Sequence, residues 1–208
     1  LSKGHAAGAW YTTLWSSGLI SDKILSSFCQ EGTILPGHPS GQIIPGLLFP
    51  TGSLGHGPSL SAGLCVALKY KKNHGRVFCL CSEGDWQEGS SWEALNFACH
   101  HKLGNLIIIL DHNKLQAFGS TKEVMGITDY SRRFSGFEAS VSTINGHNPA
   151  AILNALSEPL TDIPKVIIMN TVKGYLLHFE GRLESHYLPL TKEDYDYALQ
   201  QIEEKLHL

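Results

Sequence analysis

Two nearly unbroken apolar runs stand out in a chain otherwise patterned at helical spacing. Arg76 to Cys81 reads RVFCLC and Asn105 to Asp111 reads NLIIILD, short and rich in aliphatic side chains, which predicts strands buried on both faces. Between them, Gly89 to His101 sets Trp92, Leu95 and Cys99 on one helical stripe, giving a strand, helix, strand unit. Ala139 to Ile144 and Lys165 to Asn170 predict further strands, with a helix from Pro149 to about Leu156 between them. Toward the amino terminus, His5 to Gly18 is rich in Ala and aromatic residues without an internal breaker. Ser21 caps a second short helix through Phe28, and the two are expected to pack as a pair. Pro58 fits the first turn of a helix reaching about Tyr70, whose Leu60, Leu64, Ala67 and Leu68 read as a core stripe. A last helix covers 191–206, with Thr191 and Asp194 as a capping box and Tyr195, Leu199, Ile202 and Leu206 on one stripe. Residues 32 to 58 carry too many Gly and Pro for regular structure, and a loop of that length is usually functional or disordered.

Apolar strands separated by helices predict an α/β fold, a parallel sheet with helices on both faces, built as a single domain over residues 1–208. In such open sheets ligands bind outside the carboxyl ends of the strands.

Composition narrows the partners. At 42% hydrophobic and 17% charged residues the chain is globular, and its longest aliphatic run, Leu106 to Leu110, is far too short for a membrane helix. Sixteen Lys and Arg against 19 Asp and Glu leave a formal charge of −3, so neither nucleic acid nor an anionic membrane is an expected partner. Cys29, Cys65, Cys79, Cys81 and Cys99 are odd in number, form no CxxC pair and fall in apolar segments, as buried free thiols in a reducing cytoplasm would. The sequence opens at Leu1 within what reads as structured sequence, so the domain is expected to be truncated at that end. More informative are 21 glycines and 11 histidines, residue types suited to close backbone approach and to proton transfer.

The strand ends hold the chemistry. RVFCLC is followed by Ser82-Glu83-Gly84-Asp85, and NLIIIL by Asp111-His112-Asn113-Lys114-Leu115, so two oxygen-rich turns would meet at adjacent strand ends. Mg²⁺ takes carboxylate, amide and carbonyl oxygens at roughly 2.0–2.1 Å and shares them with phosphate, and Glu83, Asn113 and the Leu115 carbonyl could form such a set. Gly84 would admit a diphosphate to the backbone, and a helix starting near Gly89 adds a positive dipole end. The same residues also suit solvated turns with no ligand.

The segment EGDWQEGSSWEALNFACHHKLGNLIIILDHNKLQ resembles the thiamine-diphosphate motif of transketolases, a Gly-Asp-Gly followed about thirty residues later by an Asp-x-Asn turn. The blocks LSKGHAA, LPGHPS, TGSLGHG, INGHN, TVKG and SHYLPL occur in the order seen in transketolase amino-terminal halves, and the chain is similar in particular to the small amino-terminal subunit of split transketolases. The resemblance implies a domain that binds the diphosphate end of thiamine diphosphate through Mg²⁺, with Glu83, Asn113 and Leu115 at the metal. Gly52, Ser53, Leu54 and Gly84, with Asn113, would touch the cofactor. It implies that His5, His38 and His186 line the channel to the thiazolium ring, with His5 and His186 also on the cofactor. Taken singly, His5 is equally a helix-cap residue, His38 a turn residue and His186 a surface residue, while His74, His100, His101, His112 and His207 are expected to be exposed. Glu88 and Glu93 match acidic residues that relay protons near the subunit interface, or are ordinary first-turn carboxylates.

Ketol transfer between sugar phosphates is the implied reaction, and a carboxy-terminal subunit the implied partner, because the glutamate that activates the aminopyrimidine ring comes from the other half. The rivals are a related thiamine-diphosphate enzyme, such as a deoxyxylulose-phosphate synthase, and a non-catalytic subunit that has lost its metal. Departures from the pattern motivate them. Ser82-Glu83-Gly84 stands for Gly-Asp-Gly, His56 where Gln is common, Asn145 where Asp is common, and Tyr175-Leu176 where a second Lys-Gly is common.

Overall fold

A computed structural model describes residues 1–40, 44, 46–127 and 129–206 of the chain. Part of the Gly and Pro-rich stretch, at 41–43 and 45, and His207 lie outside the described residues.

After a short 3₁₀ turn, α1 (Ala7–Ser16) and α2 (Asp22–Leu25) pack as the pair foreseen, with Leu25 and Ile24 against a cluster containing Tyr11 and Leu14. Ser21 caps α2, accepting the Ile24 N–H at 3.4 Å. There follow α3 (His56–Tyr70), β1 (Val77–Ser82), α4 (Gly89–His100) and β2 (Leu106–His112). A small antiparallel hairpin, β3 (Leu115–Gln116) with β4 (Gly119–Ser120), leads into α5 (Thr121–Met125) and α6 (Tyr130–Phe134). Then come β5 (Ser140–Asn145), α7 (Pro149–Ser157), β6 (Lys165–Asn170), α8 (Glu184–Tyr187) and α9 (Lys192–Leu206).

The main sheet is parallel throughout, in the order β1-β2-β6-β5. Alternation along its strands feeds two cores. Cys79, Cys81, Leu106, Ile108, Leu110, Val166 and Ile168 face α3, α4 and α6, while Ile107, Ile109 and Ile167 face α7. Helices therefore cover both faces, as the continuous apolar runs required. At the first of these cores Trp86, Trp92, Phe134 and Phe137 form a chain of aromatic contacts, with centroids 4.6 Å apart for Trp86 and Phe134.

Three expectations are corrected. The buried face of α3 is Pro58, Ser61, Ala62 and Cys65; Leu60 and Ala67 are exposed, and Leu60, Leu64 and Leu68 line a surface cavity of about 430 Å³ with Trp10, Phe49 and Phe78. Small side chains let α3 approach the sheet closely, so the larger ones turn outward. The Thr191 and Asp194 cap forms, but Tyr195, Leu199 and Ile202 on α9 remain exposed, because the helix lies against loops and not on the sheet. Four cysteines are buried free thiols, whereas Cys29 is exposed at a left-handed turn of φ 57°.

Candidate functional site

A cavity of about 180 Å³ opens at the carboxyl ends of β1, β2 and β6. Gly84 reaches it from the turn after β1, Asp111, Asn113 and Leu115 from the end of β2 and the turn beyond it, and Lys173 from the loop after β6. Lys3 and His5 arrive from the amino-terminal segment, whose Ser2 N–H donates to the Leu80 carbonyl at 2.8 Å and so lies beside β1. Leu54 comes from the long loop and His186 from α8.

A buried carboxylate that sequence reasoning passed over assembles these pieces. Asp85 is fully buried and accepts four hydrogen bonds, from the Ser2 hydroxyl at 2.5 Å, the Gly55 N–H at 2.9 Å, and the Ser82 N–H and hydroxyl at 2.7 and 2.9 Å. It thereby ties the amino-terminal segment, the long loop and the β1 turn together. Its only signal in the sequence is a third polar position in an acidic turn.

The charges in the cavity divide unevenly. Lys3 donates to Asp111, which also accepts from the Thr171 hydroxyl and, at 3.2 Å, from the Asn113 amide. Burial opposes ionisation of Asp111, but the Lys3 ammonium and these hydrogen bonds outweigh it and hold the carboxyl below its usual range. Lys173 has no ion-pair partner among the described residues, and burial, with Lys3 nearby, lowers its pKa. One of two cations is thus internally neutralised and the other is left for an anion. Lys3 and Lys173 lie inside the LSKGHAA and TVKG blocks, and nothing in their local spacing sets them apart from surface lysines.

The three singled-out histidines converge. His5 lies 5.0 Å from His38 and 5.6 Å from His186 between ring centroids. Burial, then the neighbouring His38 and Lys173, push the His5 pKa down; burial, then Lys173 and His5, do the same to His186. His186 Nδ1 is buried without a hydrogen-bond partner among the described residues, an acceptor or donor aimed at something the chain does not supply.

The remaining assignments separate. Gly52, at φ 140°, packs beside His38, and Ser53 is exposed and faces the larger neighbouring cavity. Gly84 has ordinary helical backbone angles, and a Cβ there would stand 2.8 Å from Leu54 Cδ1, the movable end of a side chain that lines the same cavity. Asn113 accepts the Leu115 N–H at 3.0 Å, a side-chain turn that leaves both residues at the cavity wall. Glu88 and Glu93 are exposed, at the start and on the outer side of α4, and neither lines the cavity. Glu83 is 1% exposed and does not line the cavity either. Its Oε1 lies 2.8 Å from His112 Nδ1 and its Oε2 accepts the Lys114 N–H at 2.6 Å. His112, expected at the surface, is buried by this pairing and by the Tyr130 ring at 5.4 Å.

A parallel sheet with an anion-ready, histidine-lined cavity at its carboxyl edge defines a nucleotide- or cofactor-binding α/β domain. Comparison with known proteins makes the class specific. Residues 1–203 match the family model described as transketolase, thiamine diphosphate binding domain, and the chain belongs to that family. It is 35% identical over 206 residues to one of the named subunits of the apulose-4-phosphate transketolase of Actinobacillus succinogenes, covering 98% of this chain and 75% of that protein. To the 6-deoxy-6-sulfo-D-fructose transketolase subunit SqwG of a Clostridium species it is 33% identical, covering 99% and 76%. The crystal structure of transketolase from Campylobacter jejuni superposes with a TM-score of 0.87 at 33% identity, over 96% of this chain and 33% of that one. No helix among the described residues is long and apolar enough to cross a membrane.

Proposed function

We propose that this chain is the amino-terminal, cofactor-anchoring subunit of a two-subunit transketolase, passing a two-carbon ketol unit from a ketose to an aldose. The observation that carries the reading is the cavity itself, which joins an unpaired lysine, a close-packed glycine turn and converging histidines at the carboxyl ends of three parallel strands. These residues fit thiamine diphosphate. Lys173 would balance part of the diphosphate charge, Gly84 and Leu54 would meet it at the β1 turn, and the orphaned His186 Nδ1 offers a hydrogen bond. Bound there, the cofactor would supply a carbon nucleophile and an electron sink for carbon–carbon cleavage.

The protein's share is positioning and proton handling. His5 and His186, whose lowered pKa values favour the neutral imidazole, with His38 beside His5, can donate to or accept from substrate hydroxyl and carbonyl oxygens. For Mg²⁺ the fit is partial. Asn113 and Leu115 line the cavity, so that the Asn113 amide oxygen and the Leu115 carbonyl could serve as ligands, but Glu83 does not line it. Glu88 and Glu93 fit a role outside the cavity, at a surface shared with another subunit.

Two relatives whose names mark them as transketolase subunits support a carboxy-terminal partner subunit here, with the active site at the junction. Their names also favour sugar phosphates or a sulfosugar over one fixed ketose, and Tyr175-Leu176, at a loop that feeds Lys173 to the cavity, favours a substrate other than the usual pentose phosphates. Titration calorimetry of the chain with its partner tests the reading. Thiamine diphosphate should bind with Mg²⁺ present, Asn113→Ala should weaken that binding at least tenfold, and ketol transfer should require both subunits. Absence of thiamine-diphosphate binding would leave the non-catalytic alternative.

A further inference from the structure

By the motif resemblance Glu83 stands where a metal-binding aspartate is expected, yet its carboxylate is engaged elsewhere. It grips the two residues that bracket Asn113, meeting His112 Nδ1 at 2.8 Å and the Lys114 N–H at 2.6 Å. The second contact holds a demanding backbone, because Lys114 is a non-glycine residue at φ 66°, in the left-handed region. The Glu83 and His112 side chains are sealed, at 1% and 9% exposed, and the Tyr130 hydroxyl donates to the Glu83 carbonyl at 3.3 Å, while Lys114 itself lies at the surface. The glutamate arm, a methylene longer than aspartate, reaches past the cavity wall and under the turn.

We propose that Glu83 is a positioning residue, not a metal ligand. It locks the 112–115 turn so that Asn113 and Leu115 line the cavity, where the Asn113 amide oxygen and the Leu115 carbonyl, with the diphosphate and water, would hold Mg²⁺. The inference rests on the proposed cofactor reading.

The two roles respond differently to an isosteric change. In Glu83→Gln the amide oxygen still accepts from Lys114 and the amide nitrogen can donate to the unprotonated Nδ1 of His112, but the anionic ligand is gone. In the complex with the partner subunit, the Mg²⁺ concentration that half-saturates thiamine-diphosphate binding is measured by calorimetry for Glu83→Gln, Glu83→Ala, His112→Ala and Asn113→Ala. A clamp predicts Glu83→Gln within threefold of the unsubstituted complex. Glu83→Ala and His112→Ala should each raise the value fivefold or more, and Asn113→Ala should raise it most. A tenfold rise in Glu83→Gln with an unchanged melting temperature, alongside an unaffected His112→Ala, would overturn the proposal. Backbone hydrogen exchange gives a readout independent of the cofactor. The Lys114 amide should be protected in the unsubstituted chain and in Glu83→Gln and fast in Glu83→Ala; fast exchange in the unsubstituted chain refutes the clamp. A complex that binds no thiamine diphosphate yet protects Lys114 would instead overturn the proposed function and leave the clamp standing.

Discussion

Replacing Asp85 by alanine should cost the domain a large part of its stability. The carboxylate is fully buried and accepts two backbone N–H bonds, from Gly55 and Ser82, and two hydroxyl bonds, from Ser2 and Ser82. The hydroxyls can rotate toward other acceptors, but the two backbone donors have no second partner, and each orphaned buried donor costs about 1–3 kcal/mol. Together they give about 2–6 kcal/mol, comparable with breaking a buried charged network and large against total stabilities of about 5–15 kcal/mol. In urea, with a slope of about 2 kcal/mol per molar, the midpoint of unfolding followed by circular dichroism should fall by about 1–3 M without a change in slope. Asp85→Asn keeps the shape and one accepting oxygen but turns its amide protons toward two donors, so it should lose about half as much. The cofactor site should suffer in both, because Asp85 joins the segment carrying Lys3 and His5 to the β1 turn. A loss below about 1 kcal/mol in Asp85→Ala would refute the claim that this carboxylate holds the three segments together.

Other expectations follow from the same site. His5 and His186 have pKa values below the ordinary one, so the unfolded chain takes up their protons first and stability rises with pH through about 6.5, being lost below it. Replacing both by asparagine should flatten the pH dependence of the melting temperature between about pH 5 and 7, and an unchanged slope would contradict it. Lys173→Ala should weaken thiamine-diphosphate binding to the complex by about tenfold or more, since a charged hydrogen bond contributes about 1.5–3 kcal/mol; calorimetry reads this directly. Gly174→Ala forces a left-handed alanine at φ 69° and a Cβ 2.6 Å from Ser185 Oγ. A cost of about 2 kcal/mol should lower the melting temperature by about 4–8 °C, and a smaller shift would mean that the loop yields.

The elements with many repeats of one period were legible. The strand at Lys165 to Asn170 was placed to the residue, and β1 and β2 were each displaced by a single position. Short elements were not, because α5, α6, α8 and the β3 and β4 hairpin are too brief for any period to emerge. The capping box of α5, Ser120 with Glu123, was present in the sequence but preceded only one turn of helix. Periodicity also misled in α3, where it identifies an apolar face but not which neighbour covers it. In the site, the histidines and the Asn113 turn were found through motif order. Asp85, Lys173 and the Glu83 clamp were not, since hydrogen bonds between residues about 30 apart in the chain leave no trace in local spacing.

The cavity is stitched from the ends of the sequence inward, and this bears on when it forms. The Lys3 to Asp111 contact closes a loop of 108 residues, whereas Gly55 to Asp85 closes one of 30. The entropic difference is only about 1 kcal/mol, so length does little to the final stability. Its effect is on order of assembly, because distant pairings wait for local ones. The parallel sheet can be complete while the segment at residues 2–5 is still searching for β1, and such a species would carry native secondary structure but no pocket. Opening of that segment, in turn, is expected as a partial unfolding event of lower free energy than loss of the sheet. A ligand held between Lys173 and the segment that carries Lys3 and His5 would then act as the last tie in the folding of the chain, and its release as the first step of undoing it.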